Sequence, residues 1–169
     1  AKADVEQCRE FFPPASIFAN GLGSTETGTS TLYYIDRQTP ITTPTVPIGF
    51  ALEDMNISLL DDAGHPVDDA GKTGEIAIRS RYLAPGYWRR PELTEIKFRG
   101  TANHDDWTYL TGDMGRFTHD GALEHLGRKD FQIKIRGHRV ETIEAEQQLR
   151  THPEIAQAHA RDDPRAAVQ

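Results

Sequence analysis

Between residues 46 and 127, turn signals recur at short intervals and leave room only for short strands. Residues 61–64 (Asp-Asp-Ala-Gly) and 119–121 (His-Asp-Gly) separate runs in which apolar and polar residues alternate. Alternation with a period of two and Asp-Gly-type turns are typical of antiparallel strands. The pattern predicts strands at 55–60, 75–79, 107–111, 116–117 and 122–126, with one helix at 91–98. Closely spaced strands of this kind favour a small, distorted β-barrel or sandwich.

The flanking regions are patterned differently. A helix over 2–12 is predicted to end before Pro13-Pro14, because proline cannot continue a helix. The residues after it predict a strand at 16–20, a small-residue loop at 21–28, a strand at 29–36 and a connector at 37–47. Near the other end, strands are predicted at 131–136 and 139–141.

Together these patterns predict a mixed fold of α/β and β parts. We expect the tail of an α/β layer at 1–45, the β-barrel-like part at 46–127, and the start of an α+β lid at 128–169.

Charge and composition exclude several classes of function. Lysine and arginine number 19 against 26 aspartate and glutamate residues, which gives a net charge of −7. An acidic chain is poorly suited to binding nucleic acid through phosphate neutralisation. No apolar run approaches the ~18 residues of a transmembrane helix, so no membrane partner is expected. The single cysteine, Cys8, excludes an intrachain disulfide and favours a reducing compartment, the cytoplasm.

The loop after the strand predicted at 16–20 carries groups suited to phosphate chemistry. Gly23 allows backbone N–H groups to approach a ligand closely, and Thr25 offers a hydroxyl to a phosphoryl oxygen. Glu26 is a hard carboxylate of the kind that holds Mg²⁺ against phosphates. The alternative is a plain capping turn, with Ser24 or Thr25 as the cap.

Two later segments carry further candidate groups. In Tyr-Leu-Thr-Gly-Asp at 109–113, Asp113 is predicted at a strand end, where it could accept two ribose hydroxyls. The alternative is an Asx turn that opens the strand at Gly115. Residues 127–137 begin with Gly-Arg-Lys-Asp and continue into a predicted hairpin. The alternative interpretation of this segment is a basic edge strand, whose charges block aggregation.

Taken in order, four segments resemble those of one superfamily. The sequence resembles the adenylate-forming ligases, which comprise acyl-CoA synthetases, luciferases and peptide-synthetase adenylation domains. The resemblance covers residues 16–155, and the motif sequences are most similar to those of peptide-synthetase adenylation domains. The segments are 20–26 (Asn-Gly-Leu-Gly-Ser-Thr-Glu), 74–88 (from Gly-Glu-Ile to Gly-Tyr-Trp), 109–113, and 127–139 (Gly-Arg-Lys-Asp through Gly-His-Arg).

This resemblance implies an activity that uses ATP and Mg²⁺. A carboxylic acid, here an amino acid, is activated as acyl-AMP and passed to a pantetheine thiol of a carrier protein or of CoA. Thr25 would contact the phosphate, Glu26 would ligate Mg²⁺, and Asp113 would bind the ribose. Arg128 would contact the ribose or phosphate, and Asp130 would be the hinge of the lid.

The resemblance also assigns residues that line the ligands. The acyl pocket would include Gly21, Thr29 and Ser30, and Gly137 would line the thiol channel. Leu22 stands where the family usually has an adenine-stacking tyrosine, and His125 where it often has a second aromatic residue. The nucleotide-binding residues would be Asn20, Gly21, Leu22, Gly23, Ser24, Thr25, Asp113, His125 and Arg128.

The family's phosphate loop and C-terminal lysine have no match in these residues. We therefore expect the chain to need the remainder of the same polypeptide as a partner and to be inactive alone. Two alternatives stay open: an acyl-CoA or fatty-acyl-AMP ligase, and a non-catalytic docking or nucleotide-binding module that keeps the same frame. The second has no physical need for Thr25, Glu26, Asp113, Arg128 and Asp130 together.

Overall fold

The computed structural model describes most of the chain as two helices and ten strands. The described residues are 2–41, 45–67, 69–100, 107–129, 132–135 and 138–141. In chain order the elements are α1 (Lys2–Phe11), β1 (Phe18–Ser24), β2 (Gly28–Ile35), β3 (Phe50–Ala51), β4 (Asn56–Leu60), β5 (Thr73–Arg79), α2 (Pro91–Lys97), β6 (Phe98–Arg99), β7 (Thr108–Phe117), β8 (Leu123–Arg128), β9 (Gln132–Ile135) and β10 (His138–Glu141).

The first part of the chain packs one helix against a small antiparallel sheet. Strands β1, β2 and β3 pair in that order. Val5 of α1 is buried with Ile35 and Val46, and these three form the core of this part. Helix α1 ends at Phe11, two residues before Pro13, as the proline pair predicts. The side chain of Arg9 donates to the carbonyl oxygens of Asp36 and Thr39, so the helix is also tied to the end of β2.

The predicted loop at 21–28 is wrong over most of its length. Strand β1 continues to Ser24, and the turn to β2 contains only residues 25–27. A Cβ atom on Gly21 would lie 2.3 Å from the carbonyl oxygen of Thr31, across the strand pair. Glycine therefore serves close strand approach here instead of a flexible loop. This correction turns the predicted loop into a β-hairpin.

The region rich in turn signals forms a second sheet, as predicted. Its strand order is β4-β5-β7-β6, and β8 also pairs with β7. Among the described strands the path is open, with β4 and β6 at its edges. Alternate residues of these strands face one apolar core, which explains the period of two in the sequence. The buried core residues are Ile48, Leu59, Ile76, Ile78 and Leu123. The mixed, strand-rich fold predicted from the sequence is confirmed.

Strand β7 corrects a second prediction. The strands expected at 107–111 and 116–117 are one continuous strand, and Asp113 lies inside it instead of at a strand end. The register with β5 shifts between Glu75 and Ala77, and Gly112 has a φ of +77°. A bulge of this kind absorbs extra residues without ending the strand, so the Thr-Gly-Asp sequence bends β7 but does not break it.

The chain divides into two compact units, residues 1–127 and 128–169. In the second unit β9 pairs with β10 in an antiparallel register, with His138 opposite Ile135. The three-part division at 1–45, 46–127 and 128–169 stays a prediction. No helix within the described residues is long and apolar enough to cross a membrane.

Candidate functional site

The turn between β1 and β2 presents a buried carboxylate. Glu26 stands at the centre of this turn and is only 6% exposed. Its Oε2 accepts a hydrogen bond of 3.0 Å from the Thr25 hydroxyl, and its backbone N–H donates to Ser24 Oγ at 3.3 Å. The position of the carboxylate is therefore set partly by the small polar residues that flank it.

Hydroxyl groups on both sides of the turn hold it in shape. Ser24 Oγ and Thr27 Oγ1 lie 3.2 Å apart, and Ser30 donates to Thr27 Oγ1 at 3.0 Å. Ser30 is fully buried, and Thr27 is 2% exposed. Gly28 has a φ of +65°, a conformation that glycine adopts without strain as β2 begins. Buried hydroxyls that bond one another make this hairpin end rigid.

Two tyrosines from distant segments complete the surroundings of Glu26. The Tyr87 hydroxyl donates to Glu26 Oε1 at 2.7 Å and lies 3.4 Å from the Tyr109 hydroxyl. The backbone N–H of Ala84 donates to the Glu26 carbonyl at 2.8 Å. Phe98 packs against both tyrosine rings, with centroid distances of 5.7 and 4.9 Å. We call Ser24, Thr25, Glu26, Tyr87 and Tyr109 the Glu26 cluster.

Sequence reasoning missed Tyr87 and Tyr109 as partners of Glu26. Both stand in segments that carry the resemblance, 74–88 and 109–113, and that was the only signal available. The contact spans 61 positions of sequence between Glu26 and Tyr87. Three of the four segments thus meet at one carboxylate.

The electrostatics of the Glu26 cluster favour an ionised carboxylate. Burial alone would raise the pKa of Glu26, but hydrogen bonds outweigh it and lower the pKa to about 2. The donors are the Tyr87 hydroxyl, the backbone N–H of Glu26, and the hydroxyls of Thr25 and Ser24. Burial, followed by the Tyr87 hydrogen bond and the negative charge of Glu26, raises the pKa of Tyr109, so its hydroxyl stays protonated.

Glu26 fits the chemistry of a magnesium ligand. Within the described part of the chain, no group of three or more His, Cys, Asp or Glu side chains is placed to hold a metal ion. Mg²⁺ is commonly bound through one or two carboxylates together with substrate phosphates. An ionised carboxylate that is oriented by Tyr87 and Thr25 meets that requirement, because hydrogen-bonded partners fix the direction of a ligating group.

A second carboxylate lies on β7 and is paired with the predicted histidine. His125 Nε2, on β8, lies 3.1 Å from Asp113 Oδ1, and the Asp113 side chain is 15% exposed. The backbone N–H of Asp113 donates to Thr111 Oγ1 at 3.0 Å, and Thr111 in turn donates to the Ile76 carbonyl at 2.7 Å. The Gly112 N–H donates to Glu75 Oε1 at 3.1 Å. The bulge in β7 is thus fixed on both sides of Gly112.

Three other residues that were predicted to bind the nucleotide contact other parts of the protein. Asn20 donates to the carbonyl oxygens of Val46 and Pro47, at 3.3 and 2.8 Å. Leu22, the residue in the place of the family's tyrosine, packs against the core of the second sheet. Gly23 faces the Gly28 carbonyl across the hairpin, where a Cβ would lie 3.0 Å away. Their nucleotide roles stay predictions.

The remaining predicted residues are spread over β1, β2, β8 and the second unit. Gly21 and Thr29 are exposed and Ser30 is buried, so the predicted acyl pocket has two accessible members. Arg128 ends β8 and is half-buried. Asp130 and Gly137 lie outside the described residues. Strand β7 carries both Tyr109 and Asp113 and so connects the Glu26 cluster to the Asp113–His125 pair.

Known proteins are similar to this chain in sequence and in fold. Residues 1–88 match the family described as AMP-binding enzyme. The chain is 38% identical over 156 residues to tyrocidine synthase 2 of Brevibacillus parabrevis, which is 91% of this chain and 4% of that protein. It is 35% identical over 152 residues to the L-proline–(L-prolyl-carrier protein) ligase of Streptomyces coelicolor, 89% of this chain and 27% of that protein.

One solved structure shows the same fold in a longer protein. The structure of PA1221, an NRPS protein containing adenylation and PCP domains, matches with a TM-score of 0.80 and 28% identity. The match covers 93% of this chain and 32% of that one. The chain therefore spans about a third or less of the length of the relatives that it matches.

Proposed function

Because this chain belongs to the AMP-binding enzyme family of adenylate-forming ligases, we propose that it is part of an enzyme that activates an amino acid with ATP. The sequence is peptide-synthetase-like, and one relative is named as a ligase for L-proline and its carrier protein. The single observation that carries the proposal is the buried, ionised Glu26 at a hairpin turn, held by Tyr87.

The proposed reaction has two steps. In the first, a carboxylate oxygen of the acid attacks the α-phosphorus of ATP, a new P–O bond forms, and pyrophosphate leaves. In the second, a pantetheine sulfur attacks the acyl carbon, its proton passes to solvent, and AMP leaves with the carboxyl oxygen. We propose a carrier protein as the thiol donor, because the solved relative joins adenylation and PCP domains; CoA is the alternative.

Catalysis of this kind depends on positioning and charge, not on a protein nucleophile. Glu26 would hold Mg²⁺, and Thr25 would hydrogen-bond a phosphate oxygen. Mg²⁺ held there would supply positive charge against the phosphates. Asp113 would accept the ribose hydroxyls, which a carboxylate does through its two oxygens. The Tyr87 hydroxyl, which donates to Glu26 Oε1, would orient that carboxylate.

Further roles are proposed from the resemblance alone. Arg128 would contact the ribose or phosphate, and Leu22 and His125 the adenine side of the nucleotide. Asp130 would be the hinge of a rearranging lid, which suits a two-step reaction in one pocket. The acyl pocket would be lined by Gly21, Thr29 and Ser30, and the thiol channel by Gly137.

Acid-dependent exchange of labelled pyrophosphate into ATP tests the activity. The full-length protein should catalyse exchange with one or a few amino acids and not without acid. The 169 residues by themselves should show none, because they span a third of the solved relative. Exchange that depends on a fatty acid instead would favour the acyl-CoA or fatty-acyl-AMP alternative.

Calorimetry separates an enzyme from a docking module. We expect the full-length protein to bind ATP only with Mg²⁺ present, and binding to be lost in Asp113→Ala. The matched control is Asp62→Ala, which removes an exposed carboxylate from a turn of the same sheet. Absence of nucleotide binding, with intact folding, would support the non-catalytic docking module.

A further inference from the structure

The structure assigns a positioning role to His125: we propose that it holds the Asp113 carboxylate for the ribose hydroxyls of the nucleotide. This inference rests on the proposed function, in which Asp113 binds the ribose. It differs from the expectation that His125 contacts adenine, because it makes His125 act through Asp113.

The geometry joins the two side chains directly. His125 Nε2 lies 3.1 Å from Asp113 Oδ1, within normal hydrogen-bond range. The Asp113 side chain is 15% exposed and that of His125 is 36% exposed, so the pair is largely shielded and still open on one side. A shielded hydrogen bond restricts a carboxylate rotamer more than an exposed one does, because water competes less for it.

The other ring nitrogen identifies the tautomer. The backbone N–H of Gly127 points at His125 Nδ1, at 3.4 Å, so Nδ1 is the acceptor. A neutral imidazole then carries its proton on Nε2 and donates it to Asp113. Gly127 has a φ of +103°, a conformation that glycine adopts without strain near the end of β8. The end of β8 therefore sets the state in which His125 meets Asp113.

Backbone contacts fix the other end of Asp113. Its N–H is bound to Thr111 Oγ1, and Thr111 is bound to the Ile76 carbonyl on β5. With the main chain fixed there, the contact with His125 restricts the χ angles of Asp113. That restriction preorganises the carboxylate before a nucleotide arrives.

Two substitutions distinguish positioning from stacking on adenine. His125→Gln keeps an N–H donor near the place of Nε2 but loses the ring. His125→Phe keeps an aromatic ring but loses the donor. We expect the glutamine variant to bind ATP within about threefold of the native protein and the phenylalanine variant about tenfold more weakly, measured by calorimetry on the full-length protein. The reverse order would overturn the proposal.

A ribose-modified nucleotide identifies where the effect acts. The nucleotide 2′,3′-dideoxy-ATP lacks the hydroxyls that Asp113 would bind. The native protein and His125→Phe should therefore bind it with about the same affinity. An equal penalty with both nucleotides would mean that His125 acts on the base or on folding, and the proposal would be wrong.

NMR on the native protein gives a test that needs no variant and no activity. The ¹⁵N shifts of His125 should show the proton on Nε2 and a bare Nδ1 without nucleotide. A bare Nε2, with the proton on Nδ1 alone, would contradict the proposal.

Asp113→Ala separates failure of this inference from failure of the proposed function. If Asp113→Ala weakens ATP binding and His125→Phe does not, only the positioning role fails. If Asp113→Ala binds ATP as the native protein does, the ribose role of Asp113 fails as well.

Discussion

The two carboxylates of the site are held in different ways. Glu26 lies in a hairpin turn and is bound by hydroxyl groups, from its neighbour Thr25 and from Tyr87. Asp113 lies inside a long strand, and its carboxylate meets the imidazole of His125. The Glu26 contacts come from residues inside the segments that carry the resemblance, whereas His125 lies outside those segments.

This difference indicates two kinds of constraint. Hydroxyl donors stay donors over the whole physiological pH range, so Glu26 remains an ionised carboxylate there. A neutral imidazole can carry its proton on either ring nitrogen, so the arrangement at Asp113 depends on which nitrogen is the donor. This difference agrees with the proposed roles, which are a cation at Glu26 and the hydroxyl groups of a neutral sugar at Asp113.

The largest expected effect comes from Glu26→Gln. The amide keeps the shape and a carbonyl acceptor for Tyr87 but removes the charge that would hold Mg²⁺. We expect acid-dependent pyrophosphate exchange to fall by about 10²–10³-fold and the Mg²⁺ concentration for half-maximal rate to rise. The control is Glu10→Gln, an exposed glutamate on α1. An unchanged Mg²⁺ dependence would show that Glu26 is not the ligand.

Acid should destabilise the native protein through Glu26. The pKa of Glu26 is about 2 in the folded protein against an ordinary value of 4.5 for glutamate, so the unfolded state takes up protons first as the pH falls. The contribution of Glu26 is therefore complete above about pH 5 and is lost progressively down to about pH 2. A shift of that size corresponds to about 3 kcal/mol.

Urea unfolding between about pH 5 and pH 2 measures this loss of stability in the native protein and in Glu26→Gln. The variant has no carboxyl group to titrate at that position. The native protein should lose more of its free energy of unfolding than the variant does. Parallel pH profiles would contradict the low pKa of Glu26.

Tyr87→Phe should have a smaller effect, because it removes one of the hydrogen bonds to the Glu26 carboxylate. It removes one donor from a buried, charged acceptor, and such a loss costs about 1–3 kcal/mol in the free energy of unfolding. The matched control is Tyr34→Phe on β2, because that ring is 63% exposed. If both substitutions lower the urea midpoint equally, the Tyr87 contact does not stabilise the turn.

Much of the fold could be predicted from local patterns. The alternation over 46–127 predicted the second sheet, and Pro13 predicted the end of α1, because both signals are local. The prediction failed at 21–24, where glycines serve close strand pairing, and at 112, where a bulge keeps β7 continuous. Both failures have the same cause: glycine permits several backbone conformations, and the partner strand decides among them.

The sequence named Glu26, Asp113 and His125 as candidate residues, and their roles stay predictions. It did not predict the contacts that these residues make. That Tyr87 holds Glu26 depends on how distant parts of the chain fold together, and no local pattern reports that. The His125–Asp113 pair likewise depends on the β7–β8 hairpin, in which the bulge sets the position of Asp113.

The smallest effect is expected from Tyr109→Phe, which tests whether the Tyr109 hydroxyl also helps to fix Glu26. The Tyr109 hydroxyl is 3.4 Å from that of Tyr87, longer than a typical O–H···O bond, while its ring packs on Phe98 at 4.9 Å. Phenylalanine keeps the ring packing, so we expect a loss of only about 0.5 kcal/mol in urea unfolding and an unchanged Mg²⁺ dependence of exchange. A loss as large as that of Tyr87→Phe would mean that the two hydroxyls hold Glu26 as one unit. Glu26 would then be fixed from β7 as well as from its own hairpin. Both carboxylates would depend on β7, and the difference in how they are held would be smaller.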